Sequence, residues 1–276
     1  MTMKYSFTML LNLFQGFLVG NPYTDPFSGF PAMIETFWGH SMIPKPYYDI
    51  FSSSCWSDVT ADDDGNDPNA QACLTFTTNM LDFVGEYNPY ALDFDTCAGD
   101  ALSHQKRQLL RKILPLPRSH VDLRQLDPCE ESYLSQYLNE ASVKSALHVN
   151  LDLPWLECSS TLSYQWDDYS TAPIYRHFLD SDLDIHILVY SGNDDAVCST
   201  LGSQKWIFNL GLETTKSSYW KVYNFESQIG GYLTQFNDDR FKFLVIRGAG
   251  HEVPTYKPAV SLDMLRRFLA WDWSSL

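Results

Sequence analysis

Short apolar runs that end at glycine, proline or asparagine recur along the chain and are typical of buried β-strands. They occur at Phe14–Val19, at 185–190 and at 241–247. Two further short aromatic runs, Lys221–Phe225 and Gly231–Phe236, are close enough in sequence to form a hairpin. The pattern therefore predicts these five strands.

Longer stretches carry apolar residues at helical spacing. They predict two short helices with proline near their starts within 26–54, and single helices over Ala72–Val84, Ser132–His148, Thr200–Leu210 and Ala259–Trp271. In the C-terminal part strands alternate with helices, a pattern typical of a mostly parallel sheet. We therefore predict an α/β fold.

Composition restricts the partners rather than the fold. The chain has 276 residues, 45% of them hydrophobic, and a formal net charge of −15. Such an acidic balance argues against binding to nucleic acid or to anionic membrane surfaces. No apolar stretch reaches the length needed to cross a bilayer, so we predict no membrane insertion.

The first twenty residues fit two interpretations. Lys4 followed by an apolar stretch resembles the basic and hydrophobic regions of a signal peptide, although a small-residue cleavage site is missing. Gly20-Asn21-Pro22 is typical of a turn that ends a strand. We favour the strand.

A histidine follows the most hydrophobic strand of the C-terminal part. The 241–247 run stops at Gly248, and Gly250 and His251 follow before Pro254 closes the turn. Histidine titrates near neutral pH, so a side chain held at a strand end could act as a general base or acid. The alternative is a turn histidine whose partners are all backbone groups. An acidic partner at another strand end would favour the catalytic interpretation.

The 185–190 strand supplies such a partner. It is followed by Ser191-Gly192-Asn193-Asp194-Asp195-Ala196-Val197-Cys198, and catalytic groups gather at the carboxyl ends of parallel strands. Asp194 or Asp195 could therefore orient His251, as the aspartate does in a serine-histidine-aspartate triad. An acid followed by a C-terminal histidine is the chain order of α/β-hydrolases, but the Gly-x-Ser-x-Gly motif around their serine does not occur in these 276 residues.

Four ordered motifs make the sequence resemble the serine carboxypeptidases, the carboxypeptidase Y and cathepsin A family. They are Gly16-Phe17-Leu18-Val19-Gly20-Asn21-Pro22, Trp38-Gly39-His40, the 191–198 segment, and Gly248-Ala249-Gly250-His251-Glu252-Val253-Pro254. The resemblance runs from about Phe14 to the C-terminus. It implies an α/β-hydrolase fold with a helical cap inserted into the sheet.

The resemblance also implies roles for individual residues. The catalytic aspartate falls on Asp195 and the catalytic histidine on His251, while Asn193 stands where the family usually has an acid. Cys198 matches a free cysteine that lines the substrate site in several members, so we predict that it binds substrate rather than attacking it. Glu252, beside the histidine, is a second predicted substrate-binding residue that would favour basic C-terminal residues. No metal site and no cofactor are predicted.

The family's nucleophilic serine and its oxyanion loop precede the strand at 14–20, and neither fits in the thirteen residues before Phe14. The expectation is therefore an α/β-hydrolase fold that lacks its N-terminal strands and nucleophile elbow, truncated before the serine and inactive alone. The predicted function by family is removal of C-terminal amino acids through an acyl-enzyme. A non-catalytic binding remnant and an acyltransferase on the same scaffold are the alternatives.

The resemblance further implies disulfides Cys55–Cys73 and Cys97–Cys129, and it leaves Cys158 without a partner. The dibasic linker at 106–112 corresponds to the place where some members are cut into two chains. An acidic run at 62–67 lacks the spacing of a calcium loop and is interpreted as solvated.

The predicted organisation has a core strand in 1–25, a cap region in 26–170 and the C-terminal part of the core in 171–276. The predicted substrates are peptide or protein C-termini. We expect a protein of the secretory pathway, found in the vacuole or lysosome or outside the cell. A homodimer, as in some members of the family, is a further expectation.

Overall fold

The computed structural model describes residues 15–55, 73, 75–77, 79, 84–85, 87–96, 130–156, 170–236 and 239–274, and the side chains of all of these except 130–132. Several predictions fall outside the described residues. They concern the signal-like segment before residue 15, the acidic run at 62–67, the Cys97–Cys129 disulfide, the linker at 106–112 and Cys158.

Five strands form one mixed sheet. They are β1 (Gly16–Gly20), β2 (His186–Gly192), β3 (Lys221–Phe225), β4 (Gln228–Gln235) and β5 (Phe241–Ile246), in the spatial order β1-β2-β5-β4-β3. β1, β2 and β5 are parallel, whereas β3 and β4 form an antiparallel hairpin beside β5. The five predicted strands and the predicted hairpin are confirmed.

The central strand β5 is hydrophobic because it is covered on both faces. All six of its residues are buried, as expected for a strand between two helical layers. Its single charged residue, Lys242, is 1% exposed. The ammonium group donates to the Asp239 carbonyl oxygen at 2.8 Å and lies 4.3 Å from the centre of the Trp271 ring.

The helices lie on both sides of this sheet. On one face, Tyr175, Leu179, Trp206 and Ile207 pack against strand residues such as Phe241 and Phe243. On the other face, Val253 and Met264 pack against Leu188, Leu244 and Ile246. The predicted α/β class is therefore confirmed, with the apolar core divided between the two faces of the sheet.

The described helices are α1 (Pro26–Gly39), α2 (Lys45–Ile50), α3 (Glu130–Asn139), α4 (Ala141–Ala146), α5 (Ala172–Asp180), α6 (Thr200–Phe208), α7 (Val253–Tyr256) and α8 (Pro258–Ala270), with a π-helical turn at Phe51–Cys55. As predicted, α1 and α2 both have proline in their first turn. The predicted helices at 200–210 and 259–271 are confirmed as α6 and α8. In the predicted 72–84 helix, residues 73, 75–77 and 79 are helical.

The predicted single helix Ser132–His148 was wrong. It is divided into α3 and α4 at Glu140, whose backbone is extended at φ −61° and ψ 130°. Periodicity alone missed the break because the apolar spacing continues across it. The Asn139 side chain holds the break by accepting the Trp155 N–H at 2.8 Å and donating to the Trp155 carbonyl oxygen at 3.0 Å.

The chain divides into two compact units, Met1–Asp93 with Asp168–Leu276, and Phe94–Asp167. The first contains the sheet, α1, α2 and the Cys55–Cys73 disulfide, which confirms that predicted pairing. The second contains α3 and α4, where buried Lys144 donates to the Leu153 carbonyl oxygen at 2.6 Å. No helix among the described residues is long and apolar enough to cross a membrane.

Candidate active site

The loops after β2 and β5 meet at one end of the sheet. The Asp194 N–H donates to the Ala249 carbonyl oxygen at 2.9 Å, and the Asn193 side chain accepts the Gly248 N–H at 2.7 Å. A side chain at Gly192 would place its Cβ 2.3 Å from the Ala249 carbonyl oxygen, so this close approach requires glycine. The two strand ends thereby hold the acid loop against the histidine turn.

Asp195 and His251 form a hydrogen-bonded pair within this junction. His251 Nδ1 lies 2.7 Å from Asp195 Oδ2, which is the short distance expected when a carboxylate accepts from a ring nitrogen. Asp195 is fully buried, whereas the His251 side chain is 31% exposed. The buried carboxylate can therefore orient the partly exposed ring. Between the two candidate acids, the geometry selects Asp195.

Four N–H donors surround the Asp195 carboxylate. Oδ2 accepts from the Asn21 amide at 2.9 Å and from His251, and Oδ1 accepts the backbone N–H groups of Val197 at 2.9 Å and Cys198 at 3.1 Å. These four hydrogen bonds hold the Asp195 carboxylate in place beside the His251 ring.

The pKa of His251 is raised to about 10, chiefly by its hydrogen bond to Asp195 and then by its hydrogen bond to Cys198, while burial opposes the shift. The direction shows that the pair stabilises the imidazolium, the form that a general base reaches after taking a proton. A base must be neutral before it acts.

Asn21 is a site residue that sequence reasoning missed. Its side chain donates to Asp195 and accepts the Gly192 N–H at 2.8 Å, so it connects the end of β1 to the acid loop. Its backbone adopts a positive φ of 38°, and asparagine tolerates this region better than most residues. Its position between Gly20 and Pro22 indicated a turn, but its contact with a residue 174 positions away carried no local signal.

Tyr90 is a second missed residue. Its carbonyl oxygen accepts the His251 N–H at 2.8 Å, and its ring centre lies 5.2 Å from that of His251 at an angle of 56°. In the sequence, Asn88-Pro89-Tyr90 is typical of a turn and gives no sign of this contact. The Tyr90 backbone therefore helps to fix the position of His251.

The two predicted substrate-binding residues differ in their placement. Cys198 is a free, half-buried thiol beside His251, whose pKa it helps to raise. Glu252 is exposed at the start of α7, where its carbonyl oxygen accepts the Thr255 N–H at 2.8 Å. The structure thus brings Cys198 close to the acid–histidine pair, whereas the Glu252 side chain is exposed to solvent.

Among the described residues, Asp195, Cys198 and His251 are one group whose ligand atoms are close enough to hold a metal ion, all within 4.8 Å of one another. Both Asp195 oxygens, however, already accept two protein N–H groups each. The arrangement therefore corresponds to a hydrogen-bonded acid–histidine pair, which can orient an imidazole and stabilise its charged form.

A comparison with protein families identifies the family of this chain. A family model described as "Serine carboxypeptidase" matches residues 4–271. The chain belongs to the serine carboxypeptidase family. This confirms the resemblance of the four motifs, and the acid loop and histidine turn both lie inside the matched region.

Two similar proteins come from plants. The chain is 29% identical over 262 residues to serine carboxypeptidase-like 26 of Arabidopsis thaliana, covering 93% of this chain and 54% of that protein. It is 29% identical over 261 residues to serine carboxypeptidase II-1 of Hordeum vulgare, covering 93% and 75%. The chain thus spans about half the length of the first relative and three-quarters of the second.

A solved structure agrees on the fold. The prohormone-processing carboxypeptidase Kex1 of Saccharomyces cerevisiae superposes with a TM-score of 0.61 at 17% identity, covering 93% of this chain and 54% of that one. The predicted α/β-hydrolase class is confirmed by this likeness and by the family match.

Proposed function

We propose that the protein acts as a serine-type carboxypeptidase, which releases amino acids from peptide C-termini through an acyl-enzyme. The observation that carries the proposal is the 2.7 Å contact between His251 Nδ1 and the buried Asp195 carboxylate. Membership of the serine carboxypeptidase family supports it. Asp195 is the orienting acid and His251 the general base.

In this mechanism a serine hydroxyl attacks the scissile carbonyl carbon while His251 Nε2 takes its proton. The resulting imidazolium, stabilised by Asp195, returns the proton to the leaving amino group as the peptide bond breaks. Water then attacks the acyl-enzyme, again losing a proton to His251, and the free acid leaves as the serine is re-protonated. Cys198 lines the substrate site, and the exposed Glu252 favours basic leaving residues.

The nucleophile is the component that these 276 residues do not supply in recognisable form, because no Gly-x-Ser-x-Gly motif occurs in them. We therefore propose that the 276-residue polypeptide by itself has little or no peptidase activity. The active protein would combine it with further sequence that contains the serine and the oxyanion hole, whose loss is costly in related mechanisms.

The decisive assay measures hydrolysis of a blocked dipeptide by the 276-residue chain and by the longest polypeptide encoded at its genomic locus. We expect only the longer polypeptide to hydrolyse the dipeptide, and we expect His251→Ala to abolish this activity. Transfer of an acyl group from an acylated sugar, without hydrolysis of the dipeptide, would instead identify an acyltransferase. No turnover of either substrate, with no serine motif encoded upstream, would identify a non-catalytic binding protein, which the missing motif also favours.

The proposal extends to the substrates, the cellular compartment and the assembly of the protein. The substrates are peptide or protein C-termini, the compartment is the secretory pathway with the vacuole, lysosome or cell exterior as destination, and the assembly is a homodimer. The Cys55–Cys73 disulfide supports an oxidising compartment. Secretion of an epitope-tagged protein would test the compartment, and its sedimentation would test the homodimer.

A further inference from the structure

The segment Pro89–Asp93 lies between the acid loop and the histidine turn and is bonded to both. The Pro89 carbonyl oxygen accepts the Ala196 N–H at 3.0 Å, and the Tyr90 carbonyl oxygen accepts the His251 N–H at 2.8 Å. Ala91 is fully buried against Gly250, where an added Cβ would come within 2.6 Å of the alanine methyl group. The segment therefore supports the backbone of the catalytic candidate directly.

The far end of the 89–93 segment is held by Asp194. The Leu92 N–H donates to the Asp194 carbonyl oxygen at 3.0 Å, and the Asp93 N–H donates to both Asp194 carboxylate oxygens, at 3.0 and 3.2 Å. The side chain of Asp194 is thus the anchor for this end of the segment. The proposed mechanism gives it no other task, although it is a carboxylate that is only 2% exposed.

A neighbouring histidine does not replace this anchor. His40 Nε2 lies 3.8 Å from Asp194 Oδ1, beyond hydrogen-bonding distance. Arg247 and Lys257 line the same cavity as Asp194, but the Asp194 carboxylate accepts its hydrogen bonds from the Asp93 N–H. The contact that fixes the segment is therefore the one from the Asp93 backbone.

We propose that Asp194 is a positioning residue for the acid–histidine pair and acts through the 89–93 segment. Its carboxylate docks Asp93, the docked segment presents the Tyr90 carbonyl oxygen to the His251 N–H, and the backbone so held keeps Nδ1 in reach of Asp195. The inference rests on the proposed role of Asp195 and His251. This role requires a hydrogen-bond acceptor for the Asp93 N–H at position 194, but it does not require a negative charge there.

The test compares Asp194→Leu, which has no acceptor, with Asp194→Asn, which keeps one, in the 276-residue chain. The readouts are the low-field NMR signal of the His251 Nδ1 proton and the pH profile of iodoacetamide alkylation at Cys198. We expect Asp194→Leu to speed exchange of the Nδ1 proton about tenfold or more, the size expected from an unsatisfied buried N–H. Its alkylation profile should shift as well, while Asp194→Asn and the exposed control Asp93→Ala stay near wild type.

A folded Asp194→Leu protein with the wild-type Nδ1 signal and alkylation profile would overturn the inference, because a merely structural role would change only its melting temperature. If this variant does not fold, hydrogen exchange of the wild type decides. Asp93 and His251 amides that exchange in one common opening support the inference, and an Asp93 amide that opens independently overturns it. None of these readouts needs turnover, so a failed dipeptide assay leaves the test intact.

Discussion

Asp194 and Asp195 are adjacent and almost equally buried, at 2% and 0% exposure, yet their surroundings differ sharply. Asp195 accepts four N–H groups, one of them from His251. Asp194 accepts a single backbone N–H shared between its two oxygens, and burial raises its pKa to about 6. The two acids therefore differ in the number of donors around them rather than in depth.

The comparison assigns the two acids different tasks. Asp195 supplies the charge that stabilises the His251 imidazolium. Asp194 supplies an acceptor for backbone, a task that survives protonation because a carboxylic acid still has a carbonyl oxygen. Variants that remove the charge but keep the shape should therefore separate the two residues.

The largest expected effect is on catalysis. In the polypeptide that shows the proposed carboxypeptidase activity, Asp195→Asn should lower kcat for a blocked dipeptide by about ten-thousandfold. This is the loss found when a triad aspartate is neutralised and its histidine adopts the wrong tautomer. The matched control is Asp180→Asn, which breaks an exposed ion pair with Arg176. A loss of less than tenfold in Asp195→Asn would argue against the role of this acid.

The next effect concerns stability and pH. The folded pKa of Asp194 is raised from 3.8 to about 6, so the folded state binds this proton more tightly than the unfolded state. The associated stability is fully present below 3.8 and lost as pH rises through about 6. Asp194→Asn should therefore raise the free energy of unfolding by about 3 kcal/mol at pH 8 and by little at pH 3.5.

Urea unfolding of both proteins across this pH range is the measurement. A difference between Asp194→Asn and wild type that is the same at both ends of the range would contradict the raised pKa. Asp152→Asn, which changes an exposed carboxyl that does not line this cavity, is the control.

A smaller effect is expected at Asn21. Asn21→Ala removes an acceptor for the Gly192 N–H and a donor to Asp195. Because an unsatisfied buried group costs about 1–3 kcal/mol, the substitution should lower the free energy of unfolding by about that amount. The control Asn209→Ala changes an exposed residue at the end of α6. Equal urea midpoints for the two variants would show that the bridge from β1 to the acid loop does not stabilise the site.

The smallest effect is expected at Cys198, which is the second contributor to the raised His251 pKa after Asp195. Cys198→Ala should lower the pKa of His251 while leaving it above the ordinary value. NMR titration of the imidazole in this variant and in the wild type is the check. An unchanged titration would remove the thiol from the electrostatics of the site.

Sequence alone predicted the features whose causes are local. The run of apolar residues in β5 and the glycines at 248 and 250 belong to one short segment, so the strand, the turn and His251 could be predicted together. The acid loop was predictable for the same reason, because it follows β2 directly. The choice of Asp195 over Asp194 came from the family resemblance and agrees with the hydrogen bonding.

The remaining features depend on contacts between distant segments. Asn21 and Tyr90 reach the site from β1 and from a loop far upstream of His251, and neither residue type is distinctive in its own surroundings. The break at Glu140 is held by a partner in another segment. Such contacts are decided by packing in three dimensions, which hydrophobic periodicity does not report.

NMR titration of the His251 ring in the wild type, Asp195→Asn and Asp194→Asn tests the acid–histidine pair most directly. We predict a wild-type pKa well above the ordinary 6.5, a marked fall in Asp195→Asn, and a value close to wild type in Asp194→Asn. A wild-type ring that titrates near 6.5, or one that responds equally to both substitutions, would contradict the assignment of Asp195 as the orienting acid.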